Sequence, residues 1–515
     1  MKFFRNKTNP NSAGMTPPEL LKLVESLTSE GKYEEAFDAC EECLKAGVTL
    51  VDAHYMATLI IQDNPALGIN ANDFSEKYNG PELQKAYADR IQYLQSPGRT
   101  ADALALAREL RKLAPENNEV HIVAGILCLS LGRAEEAIDV FESALEQSPG
   151  DVFLRTQYIR ALLLSGFDRF DQKVRRRLGL FLKEPGTVNL AFISRLWLAQ
   201  LTRDRAFAPL LTAAENSDYA AFRKWLDGQK LDVLLIDDYF LDGVRNCVIA
   251  DVRVEKLLVY LRRALLDFIS SGSMAPIWAL PLAVAIGEQC FINEYVFDET
   301  EQEKQQVALL AVAAANSPIP PLSVAVLAAY RPLHTLKLKE RTQDKTLQSL
   351  LRQQIDEPAA EADIKKKMKT FSRIADETSQ KVRAQYEEHP YPRWISFGRL
   401  PDETDDMVLD NADRLKELNI LVAGCATGHF PMRVALNYPQ ASVTGIDISL
   451  SSLAYGVRKA KEMGFTNIEF LHGDILDVGQ LGKKFDIIFS LGVLHHMGDP
   501  EKGWRSLVDV LKPGG

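Results

Sequence analysis

The stretch from Asn419 to Asp447, NILVAGCATGHFPMRVALNYPQASVTGID, restricts the possible fold more than any other part of this 515-residue chain. The apolar run Ile420 to Ala423 predicts a buried strand, Gly424 to Gly428 a turn, and His429 to Asn437 a helix. Val443 to Asp447 predicts a second strand that ends on an acid. This is a βαβ unit whose turn has a task. Gly424 and Gly428 carry no Cβ, so the backbone can bend sharply and approach a ligand closely. The helix starts at once, so its free N–H groups and positive dipole end face the same ligand. Asp447, 23 residues after Gly424, stands at the carboxyl end of the second strand, where a carboxylate accepts hydrogen bonds from ribose hydroxyls.

A glycine turn alone serves nicotinamide, flavin and methyl-donor enzymes, and three further features separate them. The turn is Gly-Cys-Ala-Thr-Gly, with Pro431 where a dinucleotide site would place its third glycine. Phe470 to Ile475 (FLHGDI) ends a third strand on Asp474, an acceptor for an exocyclic amine, with Ile475 to cover a ring face. Phe485 to Leu491 reads as a fourth strand, apolar on both faces and therefore interior, followed by Gly492-Val493-Leu494-His495-His496. In this order, and with LKPGG at 511 to 515, the segment from Asn419 to Gly515 resembles class I S-adenosylmethionine-dependent methyltransferases.

The resemblance implies a Rossmann-like α/β domain with S-adenosyl-L-methionine as cofactor and no metal. It implies that Gly424, Cys425, Ala426 and Gly428 lie under the methionine part. Asp447 would hold the ribose, and Asp474 with Ile475 the adenine. Ile448 and Ser490, also at strand ends, complete the implied cofactor set. His495 and His496 fall near the place of the methyl acceptor, either as a base or as a helix start that shapes the pocket. Two positions depart from the family pattern: Val422 stands where many members carry an acid, and Ala426 replaces a middle glycine, so its Cβ narrows the allowed backbone. The Asn/Asp-Pro-Pro-Tyr signature of amino-methyltransferases is absent after the fourth strand, and so is a pair of glutamates. Both absences weaken the corresponding acceptors. LKPGG leads into strand five in this family, so the sheet order expected here is 3-2-1-4, and the chain reads as a fragment of a longer protein.

Upstream, Gly98, Ala103, Ala107 and Pro115 recur 34 residues later as Gly132, Ala137, Phe141 and Pro149, and Gly31, Ala36 and Cys40 begin the same pattern earlier. Small residues where two helices cross, and a proline after the second, resemble the tetratricopeptide repeat. Such repeats stack into a curved array whose concave side commonly holds peptides, or they merely scaffold the next domain. Asp63 to Gly80 breaks the period. The chain is thus expected to be multidomain: a flexible tail over 1–17, helical repeats over 18–186, a second all-α region over 187–345, an exposed helical connector with EHPYPRW over 346–400, and the methyltransferase domain from 401. Ala275 to Ile286 and Val307 to Ala314 are apolar almost all round, as core helices are. Gln385 to Trp394 (QYEEHPYPRW), with aromatics Tyr386, Tyr391 and Trp394 and two prolines, is too aromatic for a linker and is expected to anchor the chain or wall a pocket. With CFINEYVFDE at 290–299, its EHPYPRW part resembles bacterial proteins that join such repeats to a methyltransferase.

Composition narrows the partners. A net charge of −10 argues against general nucleic-acid binding. The longest apolar candidate for a membrane span, Ala275 to Gly287, has 13 residues and two prolines, short of the ~20 a bilayer needs. Six cysteines in so long a chain make no disulfide framework, and Cys40 and Cys43 lack a second pair, so they read as a packed helix face in a reduced, cytoplasmic protein. The expected partners are an unidentified methyl acceptor and a protein or peptide on the repeats. The competing readings are a repeat adaptor carrying an inactive methyltransferase fold, and a nicotinamide oxidoreductase, which the glycine spacing disfavours.

Overall fold

The structure, a computed structural model, describes residues 16–47, 50–95, 98–388, 390, 393–395 and 418–515. The expected tail lies outside these residues apart from its last two, as do His389, Tyr391 and Pro392 of EHPYPRW. The chain divides into two compact units, one ending at Phe167 and the other beginning at Asp168.

The first unit is built of antiparallel helices with glycine turns. Gly31, Gly98 and Gly132 all adopt positive φ between helices, a conformation that costs other residues a steric penalty. Helices α1 (Asn118–Ser130) and α2 (Ala134–Gln147) show how the repeat closes. A Cβ on Gly125 would lie 2.3 Å from the ring of Phe141, so the ring packs directly on backbone. Ala137 and Ala144 are fully buried beside it. The irregular stretch 63–80 contains a short helix, Ala71–Tyr78, capped by the Asn70 side chain. Its Lys77 and Tyr78 reach Glu41, a buried acid. Cys40 and Cys43 are buried in one helix, and burial pushes the Cys40 thiol up to about 12, as befits a packed apolar side chain.

The second unit begins all-helical. Helix α3 (Asp238–Asn246) packs against α4 (Ala279–Ile292), which is buried along nearly its whole length. Val307 to Ala314 behaves otherwise than expected. It lies in helix Glu301–Asn316, buries only Val307 and Ala314 of its large and small apolar residues, and leaves Leu309 72% exposed. The run is apolar all round in sequence, but the helix meets its neighbours along one edge.

The charged segment after residue 346 is exposed along much of its length, as expected, but it is also docked on the sheet domain. Helix α5 (Glu357–Lys367) is held by Arg458, whose guanidinium meets Glu361 at 2.8 Å and Glu357 at 3.2 Å. Residues 369–371 then run alongside a strand end: His472 N–H donates to Lys369 O, and Phe371 N–H donates to His472 O. Helix α6 (Glu377–Glu388) follows. Several of its charges, Glu357, Glu361 and Lys369, have partners about a hundred residues further on, while Lys366 and Lys381 keep local, exposed pairs.

The sheet is parallel, in the expected order β3-β2-β1-β4, with β1 Asn419–Ala423, β2 Ser442–Asp447, β3 Ile468–His472 and β4 Ile487–Phe489. Helices α7 (His429–Asn437) and α8 (Leu450–Glu462) make the crossovers. Strand β4 is shorter than expected and only half-buried. Phe485 is buried but leaves the β1 ladder and exchanges backbone hydrogen bonds with Val510 and Lys512 instead. The one well-described aromatic of EHPYPRW, Trp394, anchors the chain. It is buried in the core beside Ile420, Val422 and Met432, and its indole N–H donates to Thr427 O at 3.2 Å.

Candidate active site

All four strands run the same way, so their carboxyl ends bring their loops to one edge, where ligands bind in open α/β sheets. There a cavity of about 450 Å³ opens. Gly424 and Ala426 reach it from β1, Asp447 and Ile448 from β2, Gly473, Asp474 and Ile475 from β3, and Leu491 to Val493 with His495 and His496 from the loop after β4. Eight of the eleven residues singled out in the sequence therefore share one cavity. Cys425, Gly428 and Ser490 do not line it.

Their positions explain why. Cys425 turns inward, fully buried against Gly445, and burial pushes its thiol pKa well up. Gly428 is a packing glycine: a Cβ there would sit 2.9 Å from the Gly456 Cα and 3.0 Å from the Phe470 ring. Ser490 holds a buried hydroxyl with no hydrogen-bond partner. Gly424 is needed for a similar reason. Its φ is +72°, and a Cβ would meet the Val493 side chain at 2.2 Å.

The turn is also held from within. Gly424 and Cys425 N–H both donate to Ile446 O, and Gly428 N–H to Cys425 O, so these groups do not face a ligand. Ala426 sits at φ +46°, in the left-handed region, and its N–H donates to Asp447 Oδ2 at 2.8 Å. The other carboxylate oxygen accepts from Ser449 N–H at 2.9 Å. Burial raises the Asp447 pKa, and these backbone donors oppose the rise. Asp474, 3% exposed, accepts from Leu476 N–H, which starts a helical turn at Ile475. His495 and His496 lie exposed side by side, ring centroids 4.0 Å apart.

Of the far wall, sequence reasoning included Tyr386 in a stretch that could wall a pocket, and it missed Ser379 and Val382. Ser379, Val382 and Tyr386 of α6 line the cavity. Glu387 fixes that helix by accepting from Leu450 and Ser451 N–H at the start of α8, and Ser449 Oγ donates to Tyr386 O. The one available signal is the spacing of 379, 382 and 386, which puts all three on one helical face.

No Lys or Arg lines the cavity among the described residues, whereas two carboxylates do, buried Asp474 and half-buried Asp447. That donor set opposes a pyrophosphate and suits a cationic, ribose-bearing ligand. Residues 415–515 match the family model described as a methyltransferase domain. Residues 89–152 match that of the tetratricopeptide repeat. The chain joins tetratricopeptide repeats to a methyltransferase domain.

An uncharacterized protein of Synechococcus sp. is 34% identical over 155 residues, 28% of this chain and 37% of its own length. The tRNA U34 carboxymethyltransferase of Desulfotalea psychrophila is 36% identical over 20% of this chain and 31% of its own. The demethylmenaquinone methyltransferase of Listeria welshimeri is 32% identical over 19% of this chain and 43% of its own. The chain thus spans less than half the length of each of these relatives. Among solved structures, the magnesium protoporphyrin IX methyltransferase of Synechocystis PCC 6803, crystallised with bound SAM, is similar over 27% of this chain and 75% of that one, with 24% identity and a TM-score of 0.23. Among the described residues no helix is long and apolar enough to cross a membrane.

Proposed function

We propose that the methyltransferase domain uses S-adenosylmethionine to methylate an acceptor that enters beside His495 and His496. The observation that carries this reading is the single cavity at the carboxyl ends of four parallel strands, acidic and free of lysine and arginine among the described residues. Bound there, the cofactor would supply a methyl group on a positively charged sulfonium. Asp447 would accept from its ribose, Asp474 from its adenine amine, and Ile475 would cover the ring. The Ser490 hydroxyl, now unpartnered, is a spare donor close by. Leu491, Val493 and Met497 give the acceptor side an apolar wall. In-line displacement gains most from holding the reacting atoms in place. A base is needed only for an acceptor that must shed a proton, and either exposed histidine is placed to take it. The repeats would present a protein or peptide segment, and the location would be cytoplasmic. The domain boundaries drawn at 186, 345 and 400 are part of the same proposal.

The test is calorimetric titration of the chain with S-adenosylmethionine. Asp447→Ala is expected to weaken binding by ~1–3 kcal/mol, the cost of a lost buried partner. Unchanged affinity would remove Asp447 from the site, and tighter binding of NAD than of S-adenosylmethionine would remove the reading.

A further inference from the structure

Among the described residues, two stretches notable in sequence, CFINEYVFDE at 290–299 and EHPYPRW, contribute nothing to the lining of the cofactor cavity. They meet at a second one. Phe291 and Ile292 of the first, and Arg393 and Trp394 of the second, line a cavity of about 460 Å³, equal in size to the cofactor cavity. Five cations face it, Arg245, Arg352, Arg393, Arg458 and Lys459, against three carboxylates, Glu288, Glu357 and Glu361. Asp242, Glu294 and Glu462, just outside the lining, also pair with these cations, so the cavity is set apart by how loosely some of the pairs are held.

Not all of these charges are matched. Arg458 is compensated by Glu357, Glu361 and Glu462. Arg393 is not: Glu294 is 3.8 Å away, and the buried Nε makes no hydrogen bond. Lys459 donates to Ile395 O at 3.3 Å and has its carboxylate partner, Glu462, only at 3.9 Å, while Arg352 finds Glu357 at 3.4 Å. Arg245 Nε and Glu288 Oε2 face each other at 3.1 Å in an ion pair whose geometry makes no hydrogen bond, and Gln353 Oε1 is also unpartnered. Arg393 Nε and Gln353 Oε1 make no hydrogen bond, and buried polar atoms of that kind beside a cavity call for a polar occupant. Burial and the neighbouring Arg458 charge lower the Lys459 pKa against the opposing pull of Glu357 and Glu462.

The backbone adds a second sign. Glu294 and Tyr295 adopt φ of +57° and +60°, consecutive left-handed residues without a glycine. Strain of this kind persists where the surroundings hold it and gathers at functional sites. Here Tyr295 Oη holds it by donating to Ala328 O and Gln354 Oε1.

We propose that this cavity is a second ligand site, which takes a small anion: a carboxylate or phosphate-bearing molecule whose charge is met by Arg393, Arg352 and Lys459. Trp394 separates it from the glycine turn. Its indole donates to Thr427 O, and its carbonyl accepts from Tyr455 Oη. An occupant therefore presses on the residue that holds the turn, and any effect on cofactor affinity is reciprocal.

The experiment is calorimetric titration of the full chain with citrate and with inorganic phosphate, against sodium chloride at equal ionic strength. Saturable one-site binding of either anion is expected. Arg393→Gln and Arg352→Gln should each weaken it roughly tenfold, the loss of one charge-assisted contact. Asp447→Ala, in the other cavity, should leave it unchanged. The Arg352 side chain is 66% exposed, so that variant folds even if Arg393→Gln does not. Heats no larger than the chloride control overturn the proposal. So does full-strength binding in both arginine variants, and so does loss of binding in Asp447→Ala alone, which would place the anion in the cofactor cavity. The readout is anion binding, so it stands or falls apart from methyl transfer.

Discussion

Ala426 carries a local cost that a glycine would not. At φ +46° its Cβ is strained by ~1–2 kcal/mol, while glycine would add ~0.5–1 kcal/mol of unfolded-chain freedom. Ala426→Gly should therefore raise stability slightly, by under ~1 kcal/mol, and keep the N–H bond to Asp447; a lower urea midpoint would show that the Cβ packs usefully. Glu41 makes the opposite kind of residue. Burial alone would raise its pKa, but hydrogen bonds from Lys45, Lys77 and Tyr78 outweigh that and bring it from 4.5 to about 2. A carboxylate whose folded pKa is depressed stabilises the fold above its unfolded value and loses that contribution as pH falls through the folded one. Thermal stability of the repeat unit should thus decline between pH 4.5 and about 2, and Glu41→Gln, which costs ~1–3 kcal/mol at neutral pH, should flatten that decline. An acid limb equally steep in the variant would assign it to other groups. The sequence made Asp447, Asp474 and Ala426 legible because strand ends and turns follow from local pattern. It could not show that Gly424 and Gly428 are required by Val493, Gly456 and Phe470, which are distant in the chain.

Elements with a strong period were read almost to the residue: α7 spans His429–Asn437 in both readings, and β1 and β2 differ by one residue at the start. Strand β4 was read too long, because an apolar run records burial and not hydrogen-bond partners. Phe485 is buried, yet it pairs with the Val510–Lys512 segment. The 369–372 stretch had no signal at all, since its pairing with β3 bridges a hundred residues. Gly473 tests that docking. A Cβ there would lie 2.4 Å from the Phe371 ring. Gly473→Ala should destabilise by ~1–3 kcal/mol through overpacking, and Phe371→Ala in the same chain should recover part of the loss. Identical urea midpoints for the single and double variants would mean that the ring is not pressed against β3.

Arg458 gathers the second unit. It binds Glu357 and Glu361 of α5 and Glu462 of α8, with a side chain only 7% exposed. Arg458→Met would leave those carboxylates crowded, with only the looser pairs Arg352–Glu357 and Lys459–Glu462 remaining, at ~3–5 kcal/mol. Burial already raises the Glu357 pKa, so protonation relieves the crowding readily. The variant should therefore lose less relative to the parent at pH 5 than at pH 8 in urea unfolding; a pH-independent loss would assign the cost to packing.

The wall that α6 lends to the cofactor cavity separates two kinds of border. The family match begins at residue 415. Ser379, Val382 and Tyr386, which close the cavity, lie before it, and Glu387 clamps them to α8. Heredity and folding have thus partitioned this polypeptide at different points. A protein engineer who excised the recognisable enzyme at residue 415 would carry away its floor and leave a side of the room behind. Any recombination that transplanted this domain with its pocket closed had to carry α6 along.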